Sequence, residues 1–269
     1  MLFEPPELFN SYHHDIPGSF SVNGSSAKRR PARPGAADHP PVDQSASQAE
    51  SWSAAEIIGA FEECNLLLEP LGAAFDISKP IRTAQCGAAA PILLRRVAGV
   101  EIAPPTIVNC RVAAKLHEWI KTRLQPLAQR VLGAGITRII SASGYSCRSR
   151  VGNTSGKQSE HSYANAFDVA AFTTRDDRTI DVLSAWGPTA RDLQAQAQVP
   201  AQADIVGGDA RPLTDAGGEG TAQKSPFLRK VHESACGTFP TVLGPEANEA
   251  HRNHLHLDLA QRRISALCE

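Results

Sequence analysis

His161 and Asp168, together with the run His251-Arg252-Asn253-His254-Leu255-His256, supply the side chains best suited to hold a divalent metal. The chain has nine histidines, and four of them fall in these two short segments. Three protein ligands plus a water is the usual arrangement at a catalytic zinc. Zinc brings the pKa of its water to about 7, so hydroxide becomes available at neutral pH. A neighbouring imidazole or carboxylate can then move the protons. If the two segments meet in space, metal-assisted hydrolysis is the chemistry they can do. The plainer alternative is a set of hydrogen-bonded loop histidines. A lone histidine would favour it, but a His-x-x-His-x-His run with a separate His and Asp does not.

The elements around these residues must bring them together. On one helix, His161 and Asp168 would lie about 10 Å apart along the axis, too far to share a metal. The apolar run Ala166 to Phe172 instead predicts a strand, with His161 on the loop before it and Asp168 on the strand itself. His254 to Leu259 alternates as a strand does, so His254 and His256 share a face. His251, just ahead of it, can lean over the same point. Ile136 to Ser143 and Thr179 to Ala185 read as two more strands. Arg148 and Arg150 follow the first of these and are candidates for gripping a substrate carboxylate or polarising a carbonyl.

Helical signals surround them. Val112, Leu116, Trp119, Ile120, Leu124, Leu127 and Val131 recur every three or four residues from Arg111 to Leu132. Pro126 should kink or break that helix, and Gly133 and Gly135 end it. Another helix is expected within Ser51 to Leu68, with Ser53 and Glu56 spaced as a capping box. A third covers Phe227 to Cys236. Residues 1–52 are rich in Pro, Ser and Ala and are expected to be disordered. Residues 53–269 then form one domain, interrupted by a flexible insertion at 186–225 with a short helix near Ala190 to Gln198. The fold class expected is α+β, a small antiparallel sheet carrying the metal site with helices packed on one face.

Composition narrows the function. The formal net charge is −1, and no basic stripe interleaves with aromatics, which argues against a nucleic-acid partner. No run of 18 apolar residues is present, so no membrane span is expected. Six cysteines are spread from Cys64 through Cys86, Cys110, Cys147 and Cys236 to Cys268 with no Cys-x-x-Cys pair. That spacing suits either buried free thiols in the cytosol or disulfides, rather than a zinc ribbon; disulfides are the favoured expectation and would imply an oxidising compartment. Six cysteines can pair in 15 ways, and spacing does not choose among them. The opening Met1 to Pro6 shows neither a basic n-region nor an apolar h-region, so export would need a mis-started N-terminus or an unusual route. Other catalytic patterns fail. His117-Glu118 and His232-Glu233 lack the second histidine of His-Glu-x-x-His. Gly144-Tyr145-Ser146-Cys147 breaks the nucleophile elbow at Arg148.

The segment Ser159-x-His161-x-x-Ala164-x-Ala166-x-Asp168 resembles the Ser-x-His-x-x-Gly-x-Ala-x-Asp signature of the D-Ala-D-Ala carboxypeptidase and murein endopeptidase group of zinc peptidases. His254-x-His256 is similar to their closing His-x-His. Ser143-Gly144-Tyr145 is similar to their Ser-Gly-Tyr-Arg, with the Arg displaced by two positions. A closer resemblance is to the bacterial extensin-like C-terminal domain. It rests on Ser146-Cys147-Arg148, Ser159-Glu160-His161, and Val242-Leu243-Gly244-Pro245 leading to the His251 to Asp258 run, and it spans about Cys64 to Cys268. These resemblances imply a hedgehog/D-Ala-D-Ala peptidase-like fold, with zinc held by His161, Asp168 and His256. They further imply His254 as the proton-handling residue, and Arg148 as a substrate contact. The Glu-x-x-His base of the carboxypeptidase branch is absent, and His251 stands in its place. The implied function is zinc-dependent cleavage of peptidoglycan peptide stems in the periplasm or cell envelope. The alternative is a wall-binding module that keeps the fold without turnover.

Overall fold

The structure, a computed structural model, describes residues 51–83, 85–150, 156–198, 224–262 and 266–269. The segment expected to be disordered therefore lies almost wholly outside the described residues, as do residues 199–223 of the insertion.

Helix α1 (Ala54–Leu68) opens with the expected capping box. Glu56 N–H donates to the Ser53 hydroxyl, and the Ser53 N–H donates to the Glu56 carboxylate at 2.8 Å. Next come strand β1 (Ala74–Ile77), a hairpin of β2 (Ile81–Arg82) and β3 (Gly87–Ala88), then β4 (Ile92–Val97) and β5 (Val100–Val108). The long periodic segment follows as α2 (Cys110–Trp119), a π-helical turn (Ile120–Leu124) and α3 (Gln125–Leu132). Pro126 sits in the first turn of α3, where no intrahelical N–H is required of it. The wider π turn just before it takes up the interruption, so the apolar face continues past the proline. After β6 (Ile136–Ser143) and a 3-10 turn (Glu160–Tyr163) come β7 (Ala166–Thr174) and β8 (Thr179–Asp181). The chain ends with α4 (Val182–Ala185), α5 (Ala190–Gln198), α6 (Lys224–Cys236), β9 (Thr241–Leu243), β10 (Leu255–Asp258) and β11 (Leu267–Cys268).

The architecture is α+β, but the sheet is not small. Nine strands run in the order β1-β4-β5-β6-β7-β10-β9-β11, with β8 also paired to β7. Pairing is antiparallel except for β5 with β6 and β11 with β9. The strand expected over Thr179 to Ala185 stops at Asp181. The Asp181 carboxylate accepts the Ser184 N–H at 2.9 Å, which caps a helix where the alternation suggested more strand.

Trp119 joins the layers. It packs edge-on against Phe172 of β7 and Phe239, and Phe172 packs the same way on Phe227 of α6. A register shift between Ile140 and Ser141 leaves Ala170 unmatched on β7. This bulge lets Phe167, Val169 and Phe172 all enter the core while Asp168 faces the opposite side. Three disulfides, Cys64–Cys110, Cys86–Cys147 and Cys236–Cys268, use all six cysteines. Within the expected insertion, the described part is docked: Arg191 donates to the carbonyls of Pro245 and Glu246, and Asp192 pairs with Arg252 at 3.0 Å. Among the described residues no helix is long and apolar enough to cross a membrane.

Candidate metal centre

Strand pairing sets the centre. His256 of β10 lies directly opposite Asp168 of β7, and Asp258 opposite Ala166. Side chains two apart on β10 share a face, so His256 and Asp258 both point away from the core that Leu255 and Leu257 enter. His161 comes from the 3-10 turn that Ser159 caps. The loop from that turn to β7 is pinned from three sides. Asn109 N–H donates to the Ala164 carbonyl at 2.7 Å. The Asn109 and Asn165 side chains bond at 2.9 Å, and Asn165 donates to Glu160 at 2.7 Å. Ala164 adopts φ +52° to turn the chain. The signature it resembles has glycine here, and the left-handed conformation costs an alanine about 1–2 kcal/mol.

The three expected ligands are brought together and buried, with His161 at 0%, Asp168 at 2% and His256 at 7% exposure. Their ligand atoms lie within 4.8 Å of one another. His161 Nε2 is 3.1 Å from His256 Nδ1 and 3.1 Å from Asp168 Oδ2, and His256 Nδ1 is 2.9 Å from Asp168 Oδ1. The outward nitrogens are engaged elsewhere. His161 Nδ1 donates to the Gly144 carbonyl at 2.5 Å, and His256 Nε2 donates to Asp258 at 3.0 Å. In the neutral rings those bonds fix both tautomers, so two nitrogen lone pairs and a carboxylate converge on one point. This donor set, two imidazoles and one carboxylate, is of the kind that holds zinc with three protein ligands. His232 lies against Cys236 and Cys268 in a second grouping, but those sulfurs form a disulfide and offer no thiolate.

Burial pushes Asp168 up, but hydrogen bonds from His161 and His256 outweigh it and hold its carboxyl far below the usual carboxylate range. Burial works against a charge on His256 too, but the Asp168 and Asp258 carboxylates on either side push it up to about 9. Metal-free, the centre therefore keeps a proton on His256 at neutral pH, and a metal must displace it. Zinc affinity should rise about tenfold per pH unit between pH 7 and 9 and level off above that. Titrations at several pH values would show it, and an affinity flat across that window would contradict the proton assignment.

His254 stands just before β10 rather than within it, with Nε2 3.8 Å from Asp168 Oδ2 and Nδ1 given to the Asn253 side chain. His251 joins them, its ring 5.2 Å from His254 and 5.7 Å from His256. Burial pushes His251 down to about 4, helped by the nearby charges of His254 and His256. Burial also lowers His254. Arg148 lines the cleft over the centre, with its backbone carbonyl tied to Ser162 at 2.9 Å. All seven residues singled out in the sequence, Arg150 of the cleft lining included, thus meet in one region.

Four contributors were missed. Asp258 was legible, because it sits two positions after His256 on an alternating strand. Gly144 acts through its carbonyl, which no side-chain pattern reveals. Thr241 and Arg262 carry no signal at all. Gly144 is also where backbone packs tightest, since a Cβ there would run into the Ile107 carbonyl and the Thr106 methyl. Gly144→Ala should move the carbonyl that orients His161 and weaken zinc binding by about 10–100-fold. Unchanged affinity by competition with a chelating dye would remove Gly144 from the centre.

The family model described as extensin-like protein C-terminus matches residues 62–204 and 203–269. No curated protein and no solved structure matches the chain.

Proposed function

Since the chain belongs to the family described as extensin-like protein C-terminus, whose name states no reaction, its activity must be read from its own residues, and we propose zinc-dependent hydrolysis of peptide bonds in peptidoglycan cross-links. One observation carries the proposal. Two imidazole lone pairs and the Asp168 carboxylate converge at about 3 Å in a buried centre whose outward nitrogens are already engaged. His161, Asp168 and His256 would hold the ion. Zinc bound there supplies a Lewis acid and a water acidified toward neutral pH.

The remaining groups divide the other work. His254 keeps an unprotonated Nε2 at neutral pH, because burial depresses its pKa and Nδ1 is given to Asn253. It is the residue to take a proton from the attacking water and return it to the leaving amine. His251, pushed down to about 4, is too weak a base to compete and serves instead to wall the site. Arg148 brings a guanidinium to the substrate side of the cleft. The three disulfides support an oxidising setting, the periplasm or cell envelope, where peptidoglycan stems are within reach.

Metal analysis of wild type beside His161→Ala tests this. About one zinc per chain, lost in the variant, together with muropeptide products released by wild type alone, is expected. Wild type with no zinc after metal is added back would refute the metal centre. Zinc without product after prolonged incubation would favour a wall-binding module instead.

A further inference from the structure

A groove of about 440 Å³ shares the 158–163 segment with the metal cleft: Gln158 and Tyr163 line the groove, and Ser159, Glu160 and His161 line the cleft. The other wall of the groove is Trp52 and the β2–β3 hairpin. A disulfide ties the two regions, since Cys86 lines the groove and its partner Cys147 precedes Arg148 of the cleft. The volume falls within the ~300–1,000 Å³ usual for small-ligand sites.

The hairpin wall is held in place by its own contacts. Trp52 Nε1 donates to the Ile81 carbonyl at 2.7 Å, and the Arg82 guanidinium stacks over the indole, 4.3 Å from the ring centroid. Gly87 permits this, because a Cβ there would come within 3.3 Å of the Trp52 ring. Gln158 donates to the Gln85 side-chain carbonyl at 2.6 Å, joining the two walls. The Gln85 amide nitrogen and the Arg82 N–H groups then have no hydrogen-bond acceptor among the described residues. Tyr163 is 42% exposed and stands between this groove and a second cavity, with no partner for its hydroxyl among the described residues. Charge is nearly balanced, because the Glu56 carboxylate is close enough for Arg82 to act on it. An open aromatic ring, free amide donors and little net charge suit a ligand with an apolar C–H face and many oxygens. That is a sugar rather than an anion.

We infer that this groove binds an N-acetylated pyranose of a glycan strand, with the apolar face of the sugar on Tyr163 and its acetamido carbonyl on the Gln85 amide. The inference rests on the peptidoglycan reading and adds a second part of the same polymer to it. Peptide stems branch from the sugars of that polymer. A strand seated in the groove would therefore present its stem across the 158–163 segment to the cleft.

Calorimetry with chitotetraose, an N-acetylglucosamine tetramer, tests it on metal-free and zinc-loaded protein. Submillimolar binding, equal in the two forms, is expected. Cellotetraose, which lacks the acetamido groups, should bind at least tenfold more weakly. Gln85→Ala and Tyr163→Ala should each weaken chitotetraose binding at least tenfold. Tyr163→Phe, which keeps the ring without the hydroxyl, should fall between and guards against a misfolded Ala variant. No binding at millimolar concentration, equal binding of the two tetramers, or affinity unchanged in both Ala variants would overturn the inference. Zinc content, measured on the same samples, tests the metal reading separately. Sugar binding without zinc leaves the groove standing and rejects the centre, and full zinc without sugar binding rejects the groove alone.

Discussion

His256→Ala should empty the centre and also weaken the metal-free fold, because this imidazole has two separate duties. Its Nδ1 faces Asp168 and His161, and its Nε2 donates to Asp258. Removing it takes away one of three ligands, and two protein ligands do not make a zinc site of this kind. It also leaves Asp258, 4% exposed, without its cationic partner, and Asp168 with only His161 at 3.1 Å and His254 at 3.8 Å. Breaking a buried ion pair by deleting one partner costs about 3–5 kcal/mol. That penalty should be greatest below pH 6.5 and fade as pH rises through about 9, because the folded pKa of His256 is raised and its contribution disappears once the ring is neutral. Chemical denaturation of both proteins in chelator, at pH 6 and pH 9, separates this from metal loss. Wild-type zinc affinity in the variant would reject the ligand assignment. A stability gap equal at both pH values would reject the charged bridge.

Loss of the Cys86–Cys147 bridge comes second. The cysteines are 61 residues apart, and loop-closure entropy puts the bridge at about 4 kcal/mol. The other two bridges, with separations of 46 and 32, differ from it by less than about 1 kcal/mol on the same reasoning. Stability alone does not single it out; position does. Cys147 lies in the segment that seats His161: Ser146 N–H donates to the His161 carbonyl at 3.1 Å, and Arg148 N–H donates to Ser162 at 3.1 Å. The Cys86→Ser, Cys147→Ser double variant should melt ~10 °C lower and bind zinc more weakly. The Cys236→Ser, Cys268→Ser pair should melt lower by a similar amount but keep its zinc affinity. Equal zinc affinity in both would show that the bridge does nothing for the centre.

The site was more legible in the sequence than the sheet that carries it. Imidazoles and carboxylates at short, odd spacings announce themselves, and the strands Ile136–Ser143 and Ala166–Thr174 are apolar enough to be read directly. The half of the sheet formed by β1, β4 and β5 went unread. Val100–Val108 contains Pro104 and Pro105, which ordinarily argue against a strand. Here β6 pairs with residues 101–103, and β4 pairs with residues on either side of the two prolines. Their missing N–H groups therefore fall where no ladder bond is needed. Ala74–Ile77 is too short and too exposed to show alternation. His254 was expected on the strand and lies one residue before it, yet it reaches the centre, because the bend into β10 keeps it on the same side.

The direct pairing of His256 with Asp168 has a consequence for how the chain reaches its final form. A slip of one residue between β10 and β7 would turn His256 and Asp258 into the apolar layer and expose Leu255 and Leu257. Misaligned molecules would bury two ionisable groups among hydrocarbon and could not assemble the ligand set. If zinc binds at this centre, its uptake becomes a readout of folding fidelity: in a refolded sample, the fraction of chains that take it up would count those whose strands found the right alignment.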